Sequence, residues 1–305
     1  MSTASKNAGL SESTGRLESG DHIVTLNGLD LHYRVSGKGP LLFLVPAGWG
    51  VGSNYLQRGF KFLQDRFRLV FIDTRGSGLS GRPADTAKMS SHDMADDLEA
   101  LREYLGLTSI HILGHSNSGA IALSYAERYQ DRVERVVLID SEVLGLSAAT
   151  DTQAFLNARA DDPRYKVAVQ TAVSGLSGEV DFAANDESLT AFVGQILPLY
   201  LHRPEKHLVL AQEQLSGQIA CYAFQAQNAA DKAAGVDQTA LLAQIRASVL
   251  IMSGRHDWIC PVALAERLHA GIPKSRLVVF EESGHMPWLE EPEAFAAELT
   301  QFLEA

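Results

Sequence analysis

The stretch ILGHSNSGA, residues 112–120, contains two serines, Ser116 and Ser118, separated by one residue. It includes the end of an apolar run typical of a buried strand, and apolar residues recur at helical spacing from Ser118 onward. A serine on the tight turn between a strand and a helix exposes its hydroxyl at the sheet edge, with the helix N-terminus aimed at it. Ser116 lies on that turn. We therefore predict that Ser116 is a nucleophile; the alternative is that both serines merely cap the helix.

Small residues are needed on both sides of such a strained turn. The motif G-x-S-x-G places glycine two positions before and two positions after the serine. Gly114 meets the first requirement, whereas Ser118 stands at the second position and Gly119 follows one residue late. Serine is itself small, so this departure from the motif is mild.

A serine is inert without a base and an acid that orients the base. The rest of the chain supplies both in the order Ser, Asp, His, because Asp257 and His285 each follow a short apolar run. Ligand sites in open α/β sheets lie beyond the carboxyl ends of the strands, so we expect Ser116, Asp257 and His285 to meet there.

The sequence contains eight strand signals, and the last six are short, nearly continuous apolar runs that alternate with helical patterns, which is typical of a mainly parallel sheet with helices on both faces. The first two runs flank Asn27-Gly28, a strong type I′ turn signal that predicts an antiparallel hairpin. We therefore predict an α/β fold with a mainly parallel, eight-stranded sheet. The runs are HIVTL (22–26), LDLHYRV (29–35), PLLFLVP (40–46), FRLVFID (67–73), SIHIL (109–113), RVVLID (135–140), SVLIMS (248–253) and RLVVFEE (276–282).

The alternation breaks between the sixth and seventh runs, where alanine, glutamine and leucine dominate. We interpret residues 143–245 as a helical cap, or lid, inserted over the carboxyl edge of the sheet, where ligands bind in this class of fold. The core then comprises residues 20–142 and 246–305. Residues 1–19 are polar, lack the apolar segment of a signal peptide and predict a mobile arm.

Composition narrows the function classes. Of the 305 residues 46% are hydrophobic, and the formal charge of -11 argues against nucleic acid or anionic membrane as a partner. No run approaches the ~20 apolar residues of a membrane span, and two cysteines give no disulfide framework, so we expect a cytoplasmic protein. Ten histidines without metal-binding spacing predict neither a metal nor another cofactor.

Five motifs together resemble the α/β-hydrolase family from about residue 21 to the end, the cap excepted. LVPAGWG resembles its oxyanion loop, DTRGSGLS its Asp-x-Arg-Gly turn, GHSNSG its nucleophile turn, GRHDWICP its acid loop and SGHMPWLEEP its histidine loop. Within the family the combination is similar to proline iminopeptidase-like members. The resemblance implies a triad in which Ser116 attacks a carbonyl, His285 moves the proton and Asp257 orients the histidine. It also implies a second place for the acid, the end of the strand after the nucleophile turn, which is Asp140 here.

The oxyanion formed by that attack needs two preorganised backbone donors, each worth about 3 kcal/mol. The N–H of Asn117, directly after the nucleophile, is one of them. Alignment of Ala47-Gly48-Trp49 with the family's His-Gly-x loop implies the Trp49 N–H as the second, with the Gly48 N–H as the other register.

All three tryptophans fall in loops whose motifs resemble those of the family. Trp49 lies in the oxyanion loop, Trp258 in the acid loop and Trp288 in the histidine loop. We predict that Trp258 and Trp288, with His115 and Met286, line an apolar substrate pocket. The alternative is that the bulky rings hold the loops together and that His115 only packs there.

These features predict a cofactor-free serine hydrolase that cleaves an ester or lactone of a small, largely apolar molecule. The sequence is compatible with either a monomer or a homo-oligomer. The main alternative is an aminopeptidase, which must pair the substrate's α-ammonium with a carboxylate such as Glu142, Glu205 or Glu213. Two further alternatives are a non-catalytic ligand receptor and a dinucleotide-binding protein, the latter because GWGVGS (48–53) is followed by Asp73.

Overall fold

The computed structural model describes residues 15–146 and 149–305. Its strands are β1 (Gly20–Leu26), β2 (Leu29–Gly37), β3 (Leu41–Val45), β4 (Arg68–Ile72), β5 (Ile110–His115), β6 (Val133–Ile139), β7 (Ser248–Gly254) and β8 (Ser275–Phe280). They form one sheet in the order β1-β2-β4-β3-β5-β6-β7-β8. β2 pairs antiparallel with β1 and β4, and all other pairs are parallel. The predicted mainly parallel, eight-stranded sheet is confirmed.

Helices flank this sheet and fill the long connection between β6 and β7. They are α1 (Asn54–Gly59), α2 (Ser91–Tyr104), α3 (Ser118–Arg128), α4 (Ala149–Arg159), α5 (Lys166–Leu176), α6 (Asp186–Ile196), α7 (Pro204–Gln214), α8 (Cys221–Ala234), α9 (Val262–Gly271), α10 (Pro287–Glu290) and α11 (Pro292–Glu304). Within the described ranges, no helix is long and apolar enough to cross a bilayer.

The hairpin at the start of the sheet follows from its two turn residues. Asn27 and Gly28 have φ values of 49° and 81°, and a type I′ turn requires positive φ at both positions. The resulting register places Leu26 opposite Leu29 and keeps the two strands paired along their length.

Both faces of the inner strands β3 to β7 are mostly buried, which explains why these strands are nearly continuous apolar runs, whereas the edge strand β1 alternates between half-buried and exposed residues. Along β3, Leu42 and Leu44 belong to the core that includes α1 and α11, whereas Phe43 and Val45 belong to the core that includes α2 and α3. All four side chains are fully buried. The sheet is thus a closely packed base that can hold side chains at its carboxyl edge in fixed positions.

Five helices, α4 to α8, lie between β6 and β7, in the segment predicted to be a lid. They include a small core of their own, in which Tyr165, Ile196 and Leu199 pack with Trp258 from the loop after β7. This contact anchors the inserted segment to one of the loops at the carboxyl edge. The boundaries of a separate lid at residues 143–245 stay a prediction.

The predicted N-terminal arm is described only in part, since residues 1–14 lie outside the described residues. Arg16 donates to the carbonyl oxygen of Tyr104 (2.6 Å), and the Arg16 carbonyl oxygen accepts from the Tyr33 hydroxyl (2.9 Å). Leu17 packs against the main core. Arg16 and Leu17 therefore contact the rest of the fold, and a mobile arm over residues 1–19 stays a prediction.

A buried carboxyl group on α3 makes the stability depend on pH. Both carboxyl oxygens of Glu127 are buried and have no hydrogen-bond partner in the described part of the chain. Burial raises the pKa of Glu127 from 4.5 to about 8. Between these values the folded chain holds a proton that the unfolded chain releases, so the free energy of unfolding falls as the pH rises through this window.

Glu127→Gln removes this charge and keeps the size of the side chain. We expect the substitution to raise the Tm by roughly 2–5 °C near pH 9 and to change it little near pH 5, where the folded wild type is already protonated. Calorimetry at the two pH values measures the difference. Glu179→Gln, at an exposed position, is the control and should leave the Tm unchanged. An equal effect of Glu127→Gln at both pH values contradicts a proton held at this site.

Candidate active site

Ser116 lies at the turn between β5 and α3, and its φ of 60° is in the left-handed region. This conformation costs a residue with a side chain roughly 1–2 kcal/mol. Two backbone hydrogen bonds connect this turn to the end of β6 and to the residues that follow it. The Ser116 N–H donates to the Ile139 carbonyl oxygen (2.9 Å), and the Ser116 carbonyl oxygen accepts from the Glu142 N–H (3.0 Å). The strained strand-to-helix turn expected from the sequence is therefore present.

Two glycines allow the turn to pack closely. A Cβ at Gly114 would lie 2.4 Å from the Ser118 carbonyl oxygen, and one at Gly119 would lie 2.6 Å from the Cβ of Ser141. Neither position has room for a side chain. The second glycine comes one residue late in the motif because position 119 is where α3 meets the chain that leaves β6.

The two serines have different environments. The Ser118 hydroxyl is fully buried, accepts from the His115 N–H (2.8 Å) and lies 2.8 Å from the carbonyl oxygen of Val45. It therefore ties the turn to β3. Ser116 instead lines a cavity, so only Ser116 is placed to meet a substrate.

His285 and Asp257 come together at the same sheet edge. The Nδ1 of His285 lies 2.7 Å from the Oδ2 of Asp257, and both side chains are buried. The Oδ1 of Asp257 accepts from the Ile259 N–H (2.8 Å), and the His285 N–H donates to the Tyr200 carbonyl oxygen (2.7 Å). Asp257, rather than Asp140, is the carboxylate hydrogen-bonded to this ring.

Ser116 and His285 line the same cavity. Because Asp257 occupies Nδ1 of the ring, Nε2 is the nitrogen left for the serine. The serine hydroxyl and this nitrogen are not hydrogen-bonded to each other in the structure, and such contacts often tighten only when substrate binds.

His115, the residue before Ser116, is a buried neutral ring. Its Nε2 donates to the His285 carbonyl oxygen (3.0 Å), and its Nδ1 accepts from the Tyr55 hydroxyl (2.8 Å). Burial first, and the neighbouring His285 second, hold the pKa of His115 well below its usual range. His115 therefore fastens the nucleophile turn to the histidine loop as a neutral group.

A chain of side-chain amides, which the sequence did not predict, joins α8 to the loop after β3. Gln227 of α8 is fully buried; its Oε1 accepts from the Trp49 N–H (2.9 Å), and its Nε2 donates to the Oδ1 of Asn117 (2.6 Å). Asn117 in turn donates to the Glu142 carboxylate (2.6 Å). No local motif marks Gln227, because its partners are more than 100 residues away in the chain.

The predicted oxyanion donors differ in whether they are free. The Trp49 N–H is engaged by Gln227, and the Gly48 N–H donates to the Pro46 carbonyl oxygen (2.6 Å). The Asn117 N–H has no hydrogen-bond partner among the residues that the structure describes. Asn117 is therefore the predicted donor that can bind an oxyanion without a rearrangement.

The cavity has a volume of about 960 Å³, within the range of pockets that enclose small organic molecules. Of the predicted pocket residues, His115, Trp258 and Met286 line it. The segment between β6 and β7 contributes many of its apolar walls, which include Phe182, Phe192, Ile196, Leu197, Tyr200 and Phe224. The space around Ser116 is therefore mainly apolar.

Three predicted pocket residues lie outside this cavity. The Trp288 ring packs edge-on against His115, with 4.8 Å between ring centroids, and its indole N–H donates to Gln214 (3.0 Å). It supports His115 rather than a ligand. The Glu142 carboxylate accepts from the Asn117 side chain, and burial raises the pKa of Glu142. Glu213 is an exposed residue of α7.

The dinucleotide-binding alternative depends on Asp73 being free to bind a ribose. Asp73 is buried and accepts from the Ser53 N–H (2.7 Å) and the Leu79 N–H (3.0 Å). It also pairs with His32 (2.8 Å). Both carboxylate oxygens brace neighbouring loops, so this alternative has no support.

Among the residues that the structure describes, two groups of side chains have donor atoms close enough together to hold a metal ion. They are His115, Asp140 and His285, and Asp257, Cys260 and His285, with the atoms of each group within 4.8 Å of one another. Both groups include His285, so a metal in either would compete with the contacts of this ring to Asp257 or Ser116. That the reaction needs neither a metal nor another cofactor stays a prediction.

The family model for the alpha/beta hydrolase fold matches residues 40–292. The chain belongs to the α/β-hydrolase family. This α/β-hydrolase is 29% identical over 282 residues to a putative carbamate hydrolase of Agrobacterium fabrum, with 90% of this chain and 97% of the relative covered. It is also 29% identical over 282 residues to a proline iminopeptidase of Saccharolobus solfataricus, with 89% and 87% covered.

The fold also resembles that of the enol-lactonase from Burkholderia xenovorans. The TM-score is 0.71 at 21% sequence identity, with 93% of this α/β-hydrolase and 100% of that chain covered. The family match and the hydrolases among its relatives make the protein a hydrolytic enzyme.

Ser116→Ala and Ser118→Ala test which serine reacts. We expect Ser116→Ala to lower kcat by about 10⁵-fold or more and to abolish labelling by a fluorophosphonate. Ser118→Ala should still be labelled at Ser116 but should lose roughly 1–3 kcal/mol of stability, because it leaves buried backbone groups unpaired. Mass spectrometry of the labelled peptide and thermal unfolding measure the two effects. An adduct on Ser118 overturns the assignment.

Proposed function

We propose that this α/β-hydrolase cleaves neutral, largely apolar esters or lactones through a covalent acyl intermediate on Ser116. The observation that carries the proposal is the cavity, which brings Ser116 and His285 to one apolar space. Its volume of about 960 Å³ suits a small organic molecule rather than a polymer.

The charges along the cavity favour an uncharged substrate. Among the described residues, the only carboxylates that line it belong to Asp21, paired with Arg34, and Asp73, paired with His32. An α-ammonium group buried here would lack a free anion, which makes its desolvation costly. The carboxylates that an aminopeptidase could use do not line the cavity: they are Glu142, Glu205 and Glu213.

The proposed reaction begins with attack of the Ser116 Oγ on the substrate carbonyl carbon. His285 accepts the hydroxyl proton at Nε2 and then donates it to the leaving alkoxide, while Asp257 stabilises the charged ring through Nδ1. A water molecule, deprotonated by His285, then attacks the acyl carbon and releases the acid, and Ser116 regains its proton. In a lactone both fragments remain in one hydroxy acid.

The oxyanion in this proposal binds first to the Asn117 N–H, which has no partner within the described ranges of the chain. The Trp49 N–H is the second donor, and to serve it must exchange the Gln227 amide oxygen for the substrate oxygen. Each donor is worth about 3 kcal/mol of transition-state stabilisation. Substrate binding and the position of α8 are thereby linked.

A comparison of esters with an aminopeptidase substrate tests the proposal. We expect kcat/KM for p-nitrophenyl esters or lactones to exceed that for prolyl-naphthylamide by at least about 10-fold, a difference of ~1.4 kcal/mol. The physical reason is the absence of an unpaired carboxylate among the described cavity residues. Steady-state kinetics on a panel of both substrate types provides the measurement.

Two controls separate the alternatives. Glu213→Gln, on the exposed face of α7, should leave both activities unchanged. Preference for the prolyl amide, with loss of that activity in Glu142→Gln, establishes the aminopeptidase instead. Binding of esters without any turnover above Ser116→Ala indicates a receptor.

A further inference from the structure

Asp140 lies directly after β6, and the reaction described above does not use it. Its backbone is left-handed, with a φ of 43°, and its side chain is 1% exposed. Its Oδ1 accepts from the Gly254 N–H (2.8 Å). Its Oδ2 is buried and has no partner in the part of the chain that the structure describes. A charged carboxylate in this setting is costly, because one oxygen has lost water and gained no donor.

Other titratable groups surround Asp140. They come from four further parts of the fold: Asp257 and Cys260 after β7, His285 after β8, Glu290 on α10 and His115 on β5. Burial first, and the Asp257 carboxylate second, hold the pKa of Asp140 well above its usual range. Two adjacent carboxylates cannot both ionise easily, so one of them takes a proton.

We propose that Asp140 is a neutral carboxylic acid that donates its Oδ2–H to Asp257 and thereby positions the Asp257–His285 pair. Asp257 is the acceptor in this proposal, because its oxygens already interact with the His285 ring and accept from the Ile259 N–H. Asp140 has only the Gly254 N–H. The positioning role rests on the proposed function, whereas the proton on Asp140 does not.

The proton has two consequences for the pair. Asp257 gains a third donor, which restricts rotation of its carboxylate and keeps Oδ2 aimed at His285. A neutral Asp140 also competes less for the His285 ring, although its carboxyl oxygen lies within 4.8 Å of a ring nitrogen. Asp140 is therefore a positioning residue and not a second orienting acid.

Asp140→Asn is the matched variant. Its amide oxygen can accept from the Gly254 N–H, its amide N–H can donate to Asp257, and asparagine tolerates the left-handed backbone. We expect kcat/KM for an ester at neutral pH to stay within about 3-fold of the wild type, whereas Asp257→Asn lowers kcat by roughly 10³–10⁴-fold. A loss in Asp140→Asn as large as that in Asp257→Asn makes Asp140 the ionised acid and overturns the proposal.

Asp140→Ala removes the donor without replacing it. We expect kcat to fall by about 10-fold, the equivalent of one hydrogen bond of ~1.4 kcal/mol, with a smaller change in KM. Recovery of kcat in Asp140→Asn shows that the donor, and not the charge, matters. A wild-type kcat in a folded Asp140→Ala protein contradicts the positioning role.

Infrared difference spectroscopy tests the proton without any substrate. The wild-type spectrum minus that of Asp140→Asn at neutral pH should contain the carbonyl band of a neutral carboxylic acid, and Glu127 cancels because it is present in both proteins. A carboxylate band in its place overturns the proposal. If no ester is turned over but the acid band is present, the proposed function fails while the proton on Asp140 stands.

Discussion

The left-handed backbone at Ser116 is the constraint on which the rest of the site depends. A strained residue keeps such a conformation only when its surroundings leave no alternative. Here the surroundings are the carbonyl oxygen of Ile139 and the N–H of Glu142 at the end of β6, with Gly114 and Gly119 allowing close contact. The buried packing of β5 against β6 is therefore what holds the proposed nucleophile at the cavity wall.

Neutral polar groups lie around the Asp257–His285 pair of the proposed triad. His115 is held as an uncharged ring by burial, and the amides of Asn117 and Gln227 are fully buried and paired with each other. Groups of this kind supply fixed dipoles without the desolvation cost of further ions. The negative charge on Asp257 is thus left to act mainly on the His285 ring.

The sequence was sufficient to predict features that are encoded locally. Apolar runs predict strands because both faces of the sheet are buried, and the residues that follow those runs, such as Asp257 and His285, must share one edge. Trp288 and Gln227 show where this reasoning ends. Whether an indole faces a cavity or the back of His115, and which residue of the segment between β6 and β7 reaches Trp49, depends on long-range packing. No spacing along the chain encodes such contacts.

The bond between Gln227 and Trp49 limits how this enzyme can diverge. The segment between β6 and β7 forms much of the cavity wall, so changes in it are the obvious route to a new specificity. Its helix α8, however, also contacts the loop beside the proposed nucleophile, because the buried Gln227 amide oxygen accepts from the Trp49 N–H. Replacement of this segment would remove Gln227 and change the surroundings of Trp49, the second oxyanion donor of the proposed reaction, along with the wall. Changes in the segment between β6 and β7 are therefore expected to alter substrate specificity and reaction rate together.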